Sequence, residues 1–382
     1  MSEIKENSIK GVGASAAAIT VNNTDGTCTA NITNKPNRNL IINGAMQVAQ
    51  RGSASSSTQG LATVDRFKKI GSGLGNTFSQ EQITLSSSDT PYSSGFRKAF
   101  RVSQDQAGTA NAAGAIDFSH YIEAQNLACS GWNYTSASSK ITLQFWFRAS
   151  TNQTFYAILY TPDGTVQTYP FAFTASGNNA WTKITHTIVG NSNITINNDN
   201  GTGLIIYLIP FYGTNYTNNR TLNTWNALDS TNYCPDMAST WLTAGASTFD
   251  VTGMQLEVGS VATDFEHRSF HEERELCRRY YHAIIGKMGS WGSAVAYSTQ
   301  NAQGWYSIHP EMRAAPTFTW TGTLKLEDGA YGTTTSNTTA ATTMGSHGFS
   351  WWTGGFSNLV DNNVYYVYES NQSGYFQFDA EL

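Results

Sequence analysis

Apolar and polar residues alternate with a period of two through most of the chain, which is the pattern of β-strands. Leu143, Phe145 and Phe147 fall on one face of the segment KITLQFWFRAS. Trp146 falls on the other face, so this strand carries aromatic rings on both sides. Such a pattern indicates a sheet whose outer surface is used or covered.

Similar segments recur between residues 37 and 265 and are separated by turn sequences such as TPDG and NNDNGTG. The strand candidates are NLIINGAMQVAQR, KAFRVSQ, HYIEAQ, KITLQFWFRAS, QTFYAILY, WTKITHTIV, LIIYLIPFY and STFDVTGMQLEVG. Regularly spaced strands with no helical pattern between them predict an all-β fold, built on a large β-sandwich of the jelly-roll type.

The period changes over residues 269–286, SFHEERELCRRYYHAIIG. A helical stripe at i, i+3, i+4 and i+7 is formed by Cys277, Tyr280, Tyr281 and Ile284. Ser269 and Glu272 form a capping box at its start, and Gly286 is placed for the left-handed cap at its end. A helix of about four turns is marginal alone. It therefore needs a docking surface, either its own sandwich or the same helix in other copies.

These patterns divide the chain into four segments. Residues 1–36 form an arm with few large side chains, and 37–268 form the sandwich. Residues 269–286 form the connecting helix, and 287–382 form a smaller C-terminal β domain. The arm buries too little surface to fold alone. It is either a disordered tail or, as the alternation in AAITVNN and CTANIT favours, an arm that orders against copies of itself or another protein.

Composition and charge exclude several classes of function. Of 382 residues only 13% are charged, and the net charge of −5 provides no basic surface for nucleic acid. No apolar run is long enough to cross a membrane, and MSEIKENSIK lacks the apolar core of a secretory signal. The cysteines, Cys28, Cys129, Cys234 and Cys277, stand far apart, which disfavours a disulfide framework or structural zinc. We expect no cofactor, with a structural calcium ion left open.

Motifs for catalysis or metal binding are weak. His267 and His271 have the spacing of a helical metal pair, but the glutamate of HExxH is missing. Paired acids for glycoside hydrolysis could be Asp117 with Glu123, or Glu257 with Asp264. Acids at strand ends are more commonly solvated, so we expect no enzyme.

The aromatic residues are the stronger functional candidates. Sugars stack their C–H faces on rings and need polar partners for their hydroxyls, and rings with polar tips suit both needs. The rings with polar neighbours are Trp132, Tyr134, Trp146, Tyr156, Tyr160, Tyr169, Tyr207, Tyr212, Trp225 and Trp241. Most belong to the core or to subunit contacts on this interpretation. The predicted glycan-binding set is Trp132, Tyr134, Tyr156, Tyr160, Tyr212 and Trp225.

Several segments resemble a family of bacteriophage virion proteins. They are NRNLIINGAMQVAQRG, TVDRF, VTGMQLEVGSVATDFEHRSF, EERELCRRYY and MRAAPTFTW. The family comprises tail-fibre or head-fibre components, abundant in marine phages, with a jelly roll like that of carbohydrate-binding modules. The segments mark the ends of the sandwich, the helix and the start of the C-terminal domain.

The resemblance implies a homotrimeric, non-enzymatic virion protein, assembled in the host cytoplasm and attached to other virion proteins through its arm. The helix stripe of Cys277, Tyr280, Tyr281 and Ile284 would then form the trimer interface. Our first hypothesis is a tail fibre that recognises host surface polysaccharide. The second is a capsid-decorating or tail-sheathing protein that contacts only virion proteins. The third is a tail spike that depolymerises polysaccharide.

Overall fold

A computed structural model of the chain describes residues 8–9, 19–21, 28–30, 36–285, 292–328, 334–336, 340–369 and 375–382. The strands are β1 (Ser8–Ile9), β2 (Ile19–Val21), β3 (Cys28–Ala30), β4 (Phe67–Ser72), β5 (Phe78–Thr84), β6 (Lys98–Gln104), β7 (Ala115–Glu123), β8 (Lys140–Ala149), β9 (Phe155–Thr161), β10 (Gln167–Phe173), β11 (Thr182–Val189), β12 (Thr202–Tyr212), β13 (Asn226–Ala227), β14 (Ser247–Val258), β15 (Tyr281–Ile285), β16 (Gly292–Ala296), β17 (Ala302–Ser307), β18 (Thr317–Thr321), β19 (Leu324–Glu327), β20 (Thr334–Ser336), β21 (Ala340–Met344), β22 (Gly348–Thr353), β23 (Val364–Glu369) and β24 (Tyr375–Asp379). The helices are α1 (Thr90–Ser93), α2 (Ala124–Ala128), α3 (Thr240–Thr243) and α4 (Phe270–Arg278). The all-β prediction is confirmed.

Two antiparallel sheets form the sandwich. One has the strand order β13-β10-β9-β12-β7-β4, and the other has β11-β8-β14-β6-β5. The inward positions of both sheets meet in a core rich in phenylalanine, where Phe249 contacts Phe118 and Phe147 with ring centroids 5.7 Å apart in each pair. Offset and edge-on ring contacts of this kind add to the free energy of area burial. This core holds the two sheets face to face and leaves their outer sides available.

The segment NLIINGAMQVAQR, predicted as a strand, forms turns and irregular backbone instead. Its asparagines bond locally: Asn39 Oδ1 accepts from the Ile41 backbone N–H, and Asn43 Oδ1 accepts from that of Val48. Asn43 also adopts a left-handed φ of 62°. Asparagine competes with the strand ladder in this way and tolerates that conformation, so the apolar alternation alone misleads here.

The C-terminal domain has its own core and two sheets. They have the orders β15-β24-β18 and β20-β19-β23-β16-β17-β22-β21, and aromatic side chains such as Phe376 and Phe378 fill the space between them. In the arm, the segments AAITVNN and CTANIT contribute β2 and β3, which pair antiparallel. None of the helices in the described ranges is long and apolar enough to cross a membrane.

Helix α4 begins as predicted but ends early. The Ser269 hydroxyl accepts from the Glu272 backbone N–H, as the capping box requires. The helix ends at Arg278, because the carbonyl oxygens of 279 and 280 accept from the backbone N–H groups of Arg313 and Ala380. Residues 281–285 then pair with β24 as strand β15. The predicted cap, Gly286, lies outside the described residues.

The predicted trimer interface is corrected by these contacts. Cys277, Tyr280 and Tyr281 are buried within a single chain, between the sandwich and the C-terminal domain. Ile284 is partly buried and packs on the C-terminal core. The stripe therefore has its partner in its own chain and does not need other copies, so the alternative of docking on the sandwich is the one observed.

A buried polar cluster joins the sandwich to the C-terminal domain, and we call it the junction. It comprises Arg51, Asp65, Arg66, Glu123, Arg279, Tyr280, Tyr281 and Glu381. Arg51 and Arg66 both pair with Glu381, and each guanidinium lies 3.5 Å from a tyrosine ring centroid. Burial raises the pKa of Asp65 to about 6, against the opposing effect of the nearby Arg51.

Glu123 is the junction carboxylate on strand β7. It is fully buried and accepts from Arg279 Nη2 at 2.7 Å and from the Tyr280 hydroxyl at 2.7 Å. Removing one partner of a buried ion pair leaves the other charge uncompensated. Loss of Glu123 would therefore leave the Arg279 guanidinium and the Tyr280 hydroxyl without this acceptor.

We expect Glu123→Ala to lower the free energy of unfolding by about 3 kcal/mol, because Arg279 and Tyr280 lose their acceptor. Glu275→Ala is the matched control, since Glu275 pairs with Arg278 at a more exposed position and should contribute less than about 1 kcal/mol. Chemical denaturation of both variants measures the difference. Equal losses would contradict the role given to the junction.

Candidate functional site

The outer side of the six-stranded sheet carries a cleft. Strands β7, β9 and β12 alternate, so that Ile116, Phe118 and Ile122 of β7 point to the core. Asp117 and Tyr121 then face outward, and the same parity turns Tyr160 of β9 and Tyr207 of β12 outward. Side chains from neighbouring strands thus meet on one surface.

The cleft has a volume of about 440 Å³. Its lining residues are Ile70, Asp117, Tyr121, Ile158, Tyr160, Pro162, Thr202, Ile205, Tyr207, Tyr212 and Tyr233. We call it the tyrosine cleft, because five of these eleven residues are tyrosines. A concave, largely apolar surface with a few polar groups is the usual form of a small-ligand site.

Asp117 is the distinctive group in the tyrosine cleft. Only 7% of the residue is exposed, and its Oδ2 accepts from the Tyr212 hydroxyl at 2.9 Å. Its Oδ1 is buried and has no hydrogen-bonding partner among the described residues. Burial raises the pKa of Asp117 to about 7, although the Tyr212 hydrogen bond and the Lys68 ammonium oppose the shift. The carboxyl group therefore has one unsatisfied oxygen, but that oxygen is itself buried, so a ligand hydroxyl reaches it only if the neighbouring side chains move.

The tyrosines supply both ring faces and hydroxyl groups. Tyr160 and Tyr207 meet edge-on with centroids 6.1 Å apart, and Tyr212 meets Tyr233 at the same distance. Burial raises the pKa of all four phenols above the usual value, so they stay protonated at neutral pH. Protonated phenols both donate and accept hydrogen bonds. The cleft can thus pair with several hydroxyls of an uncharged ligand.

Of the six predicted glycan-binding residues, the structure brings together two, Tyr160 and Tyr212. Trp132 lies in the sandwich core, and Tyr134 packs against it with its hydroxyl directed to the Ile196 carbonyl. Their rings serve the packing of the loop before β8 and are not in the cleft.

Tyr156 and Trp225 also lie elsewhere. Tyr156 shares the outward face of β9 with Tyr160, yet only 7% of it is exposed. Trp225 is buried, donates to the Val189 carbonyl at 2.7 Å and borders a separate groove of about 430 Å³. Neither can stack a ligand in the tyrosine cleft.

Asp117, Tyr121 and Tyr233 line the cleft but were not among the predicted binding residues. The strand parity of AIDFSHYIE places Asp117 and Tyr121 on one face, which is a signal that the sequence does contain. Tyr207 belonged to the wider aromatic set. For Tyr233, which follows an irregular segment, strand parity gives no signal.

The paired-acid candidates do not form a hydrolytic pair. Asp117 and Glu123 lie six residues apart on the same strand, which separates them by roughly 20 Å. Glycosidase carboxyl pairs lie about 5–9.5 Å apart. Glu257 accepts from the Thr263 backbone N–H and hydroxyl, so it fixes the chain after β14.

The pair of histidines with the spacing of a metal site, His267 and His271, is not a metal site either, and His267 has a structural role. His267 Nε2 lies 2.9 Å from the Ser94 carbonyl oxygen, and its ring packs against Phe96 and Phe265. In the part of the chain that the structure describes, no three His, Cys, Asp or Glu side chains converge as a metal site would need.

Comparisons with known proteins were made at the levels of sequence and structure. No protein-family model matches the chain, and no curated protein sequence matches it. Among solved structures, the enzymatically active domain of bacteriophage CBA120 tailspike protein 4 is similar over 59% of this chain and 22% of its own, with 10% identity and a TM-score of 0.31.

Two binding modules are also similar in structure. The family 11 carbohydrate-binding module from Clostridium thermocellum aligns over 56% of this chain and 99% of its own, with 9% identity and a TM-score of 0.27. The N-terminal cellulose-binding domain of Cellulomonas fimi β-1,4-glucanase C aligns over the same shares, with 10% identity and a TM-score of 0.25.

The raised pKa of Asp117 predicts a pH-dependent stability. The folded chain holds this proton up to about pH 7, whereas the unfolded chain releases it near pH 3.8, so the carboxyl destabilises the fold increasingly between those values. We expect Asp117→Asn to raise the free energy of unfolding above that of the wild type by on the order of 3 kcal/mol at pH values above about 8. The difference should be smaller at about pH 5.

Urea denaturation at the two pH values measures this change. Asp229→Asn is the control, because hydrogen bonds from Thr231 lower the pKa of this exposed carboxyl. The difference in the free energy of unfolding between Asp229→Asn and the wild type should be the same at about pH 5 and about pH 8. A flat result for Asp117→Asn as well would show that the carboxyl is not held in its neutral form.

Proposed function

We propose that this chain is a non-enzymatic glycan-binding virion protein of a bacteriophage, and that the tyrosine cleft holds the glycan. The observation that carries the binding role is the group of five tyrosines that line one cleft together with Asp117. Such a group orients a hydroxyl-rich ligand, while the rings receive its C–H faces.

The electrostatics of the cleft favour an uncharged glycan. Among the described residues that line it, Asp117 carries the one carboxyl group, and no lysine, arginine or histidine is present. Lys68 lies at the edge with its ammonium 4.0 Å from the centroid of the Tyr121 ring. Above about pH 7, where Asp117 is ionised, a phosphate or a polyanionic sugar would meet a like charge, and no cation among the described lining residues compensates it. Neutral sugars face no such cost.

Binding without hydrolysis is part of the same proposal. Glycoside hydrolysis in its common form needs two carboxyl groups flanking the bond. The second acid on strand β7, Glu123, is held in the junction by Arg279 and Tyr280. The cleft residues therefore support recognition, and the depolymerising tail spike is the less supported alternative.

The virion role rests on the sequence resemblance. The resembling segments supply junction residues: Asp65 and Arg66 from TVDRF, and Arg279 from EERELCRRYY. The junction fixes how the two domains are held, which suits a particle-bound fibre that presents a binding face. We propose a homotrimeric tail fibre whose arm attaches to other virion proteins, with contacts between copies that do not involve helix α4.

We expect Tyr160→Ala and Tyr207→Ala each to weaken glycan binding about tenfold, because each removes one ring contact. Titration calorimetry of the full chain with neutral oligosaccharides and with purified bacterial surface polysaccharide measures the affinities. Tyr134→Ala is the matched control, since this tyrosine lies outside the cleft. If folded wild-type chain binds none of these glycans, or if all three variants behave alike, the cleft is not the site.

The assembly is measured independently by light scattering on the purified chain. We expect a mass three times that of the 41.6 kDa chain. A stable monomer at micromolar concentration would remove the trimer from the proposal and leave the glycan site untouched.

A further inference from the structure

The outer face of the large C-terminal sheet exposes aromatic rings. Strand parity turns Ala294 and Trp351 into the core. It leaves Trp305 71% exposed and Trp352 43% exposed on the opposite side, with Tyr297 beside them. Side chains this large and this exposed, gathered on one sheet face, mark an interaction surface.

Uncharged polar groups separate the rings. Gln303 of β17 lies opposite Trp352 of β22. On β16, Ser293 lies opposite Tyr366 of β23 on one side and, by extension of the β16–β17 register, opposite Trp305 on the other. Strands are spaced about 4.8 Å apart, so the Tyr366 and Trp305 positions lie roughly 10 Å apart across Ser293. Rings and hydrogen-bonding groups therefore alternate across the face instead of forming one apolar patch.

The face is concave between the two tryptophans. A cleft of about 600 Å³ lies there, which is larger than the tyrosine cleft. On the core side of strand β17, a Cβ atom at Gly304 would come within 2.7 Å of the Trp351 ring, so the glycine lets the backbone lie directly on Trp351. Trp305 and Trp352 stand on the outer side.

The lining chemistry fits an uncharged sugar. The described residues that line this cleft are Ser293, Val295, Tyr297, Gln303, Gly304, Trp305, Ser350, Trp351 and Trp352, none of them charged. Ring faces receive C–H groups, and the exposed Gln303 amide and Ser293 hydroxyl can pair with sugar hydroxyls. A dry contact with a second copy would bury that amide and hydroxyl against rings, at a cost in unpaired polar groups.

We propose that this concave face of the C-terminal domain, centred on Trp305 and Trp352, is a second binding site, for a neutral glycan chain. It lies in a different domain from the tyrosine cleft and uses tryptophan rings with an amide, without a carboxyl. The chain would then present two sugar-binding faces, which raises the avidity for a polymeric glycan that reaches both.

Fluorine NMR of the full chain labelled with 5-fluorotryptophan tests this site. The probes are a panel of neutral oligosaccharides at millimolar concentration, which includes a β-1,3-1,4-mixed-linked tetrasaccharide and β-1,4-galactotriose. We expect the Trp305 and Trp352 resonances, assigned by single Trp→Phe variants, to shift with at least one neutral glycan. Polygalacturonate, an acidic polymer, should shift them less.

Variants separate this site from the tyrosine cleft. Trp305→Ala and Trp352→Ala should each weaken binding at the C-terminal site about tenfold, and Trp305→Phe should retain most of it, because a ring remains. Tyr160→Ala should leave the tryptophan shifts unchanged, so failure of one site is distinguishable from failure of the other. Trp305 is largely exposed, so its removal should not unfold the domain.

Two outcomes would overturn the proposal. The first is the absence of a shift with any neutral glycan of the panel. The second is a shift of the Trp305 and Trp352 resonances on dilution of the unliganded chain, which would assign this face to contacts between copies of the chain.

Discussion

The pairing of buried carboxylates with arginines at the junction is the interaction on which the rest of the structure depends. Glu123, Asp65 and Glu381 are removed from water only because arginines from other segments meet them. Glu123 ends the strand that also carries Asp117 and Tyr121. The contact that joins the two domains therefore also holds the end of the strand that supplies Asp117 and Tyr121 to the cleft.

Local patterns predicted most of the longer sandwich strands, but they missed β4, β5 and β10 and did not show where the helix ends. Alternation located β8, β12 and β14, because a half-buried strand imposes that period on its own residues. The capping box correctly located the start of the helix at Ser269, because its hydrogen bond joins residues only three positions apart. The helix ends where the backbone N–H groups of Arg313 and Ala380 donate to the carbonyl oxygens of Arg279 and Tyr280, the two residues that follow it. These donors come from distant parts of the chain, so the local pattern of residues does not reveal them.

The candidate site shows the same limit at the level of single rings. Parity predicts that Tyr156 and Tyr160 share a face of β9, yet one is buried and the other lines the cleft. The segment that contains Cys234 and Asp236 lies close to Tyr156, and a sequence does not say where such a segment folds back. Asp117 was considered only as half of an acid pair, whereas its burial beneath tyrosines is a property of three strands together.

The pairing of Arg66 with Glu381 has a consequence for the order of events in folding. These residues are 315 positions apart, and β15 pairs with β24 across a further long excursion of the chain. Bringing such distant segments together costs conformational entropy of the chain before any stabilising contact between them has formed. We expect the sandwich core to condense first and the two domains to dock last. Until the domains dock, the charged side chains of the junction remain in water, and the faces that will meet there stay open to wrong contacts.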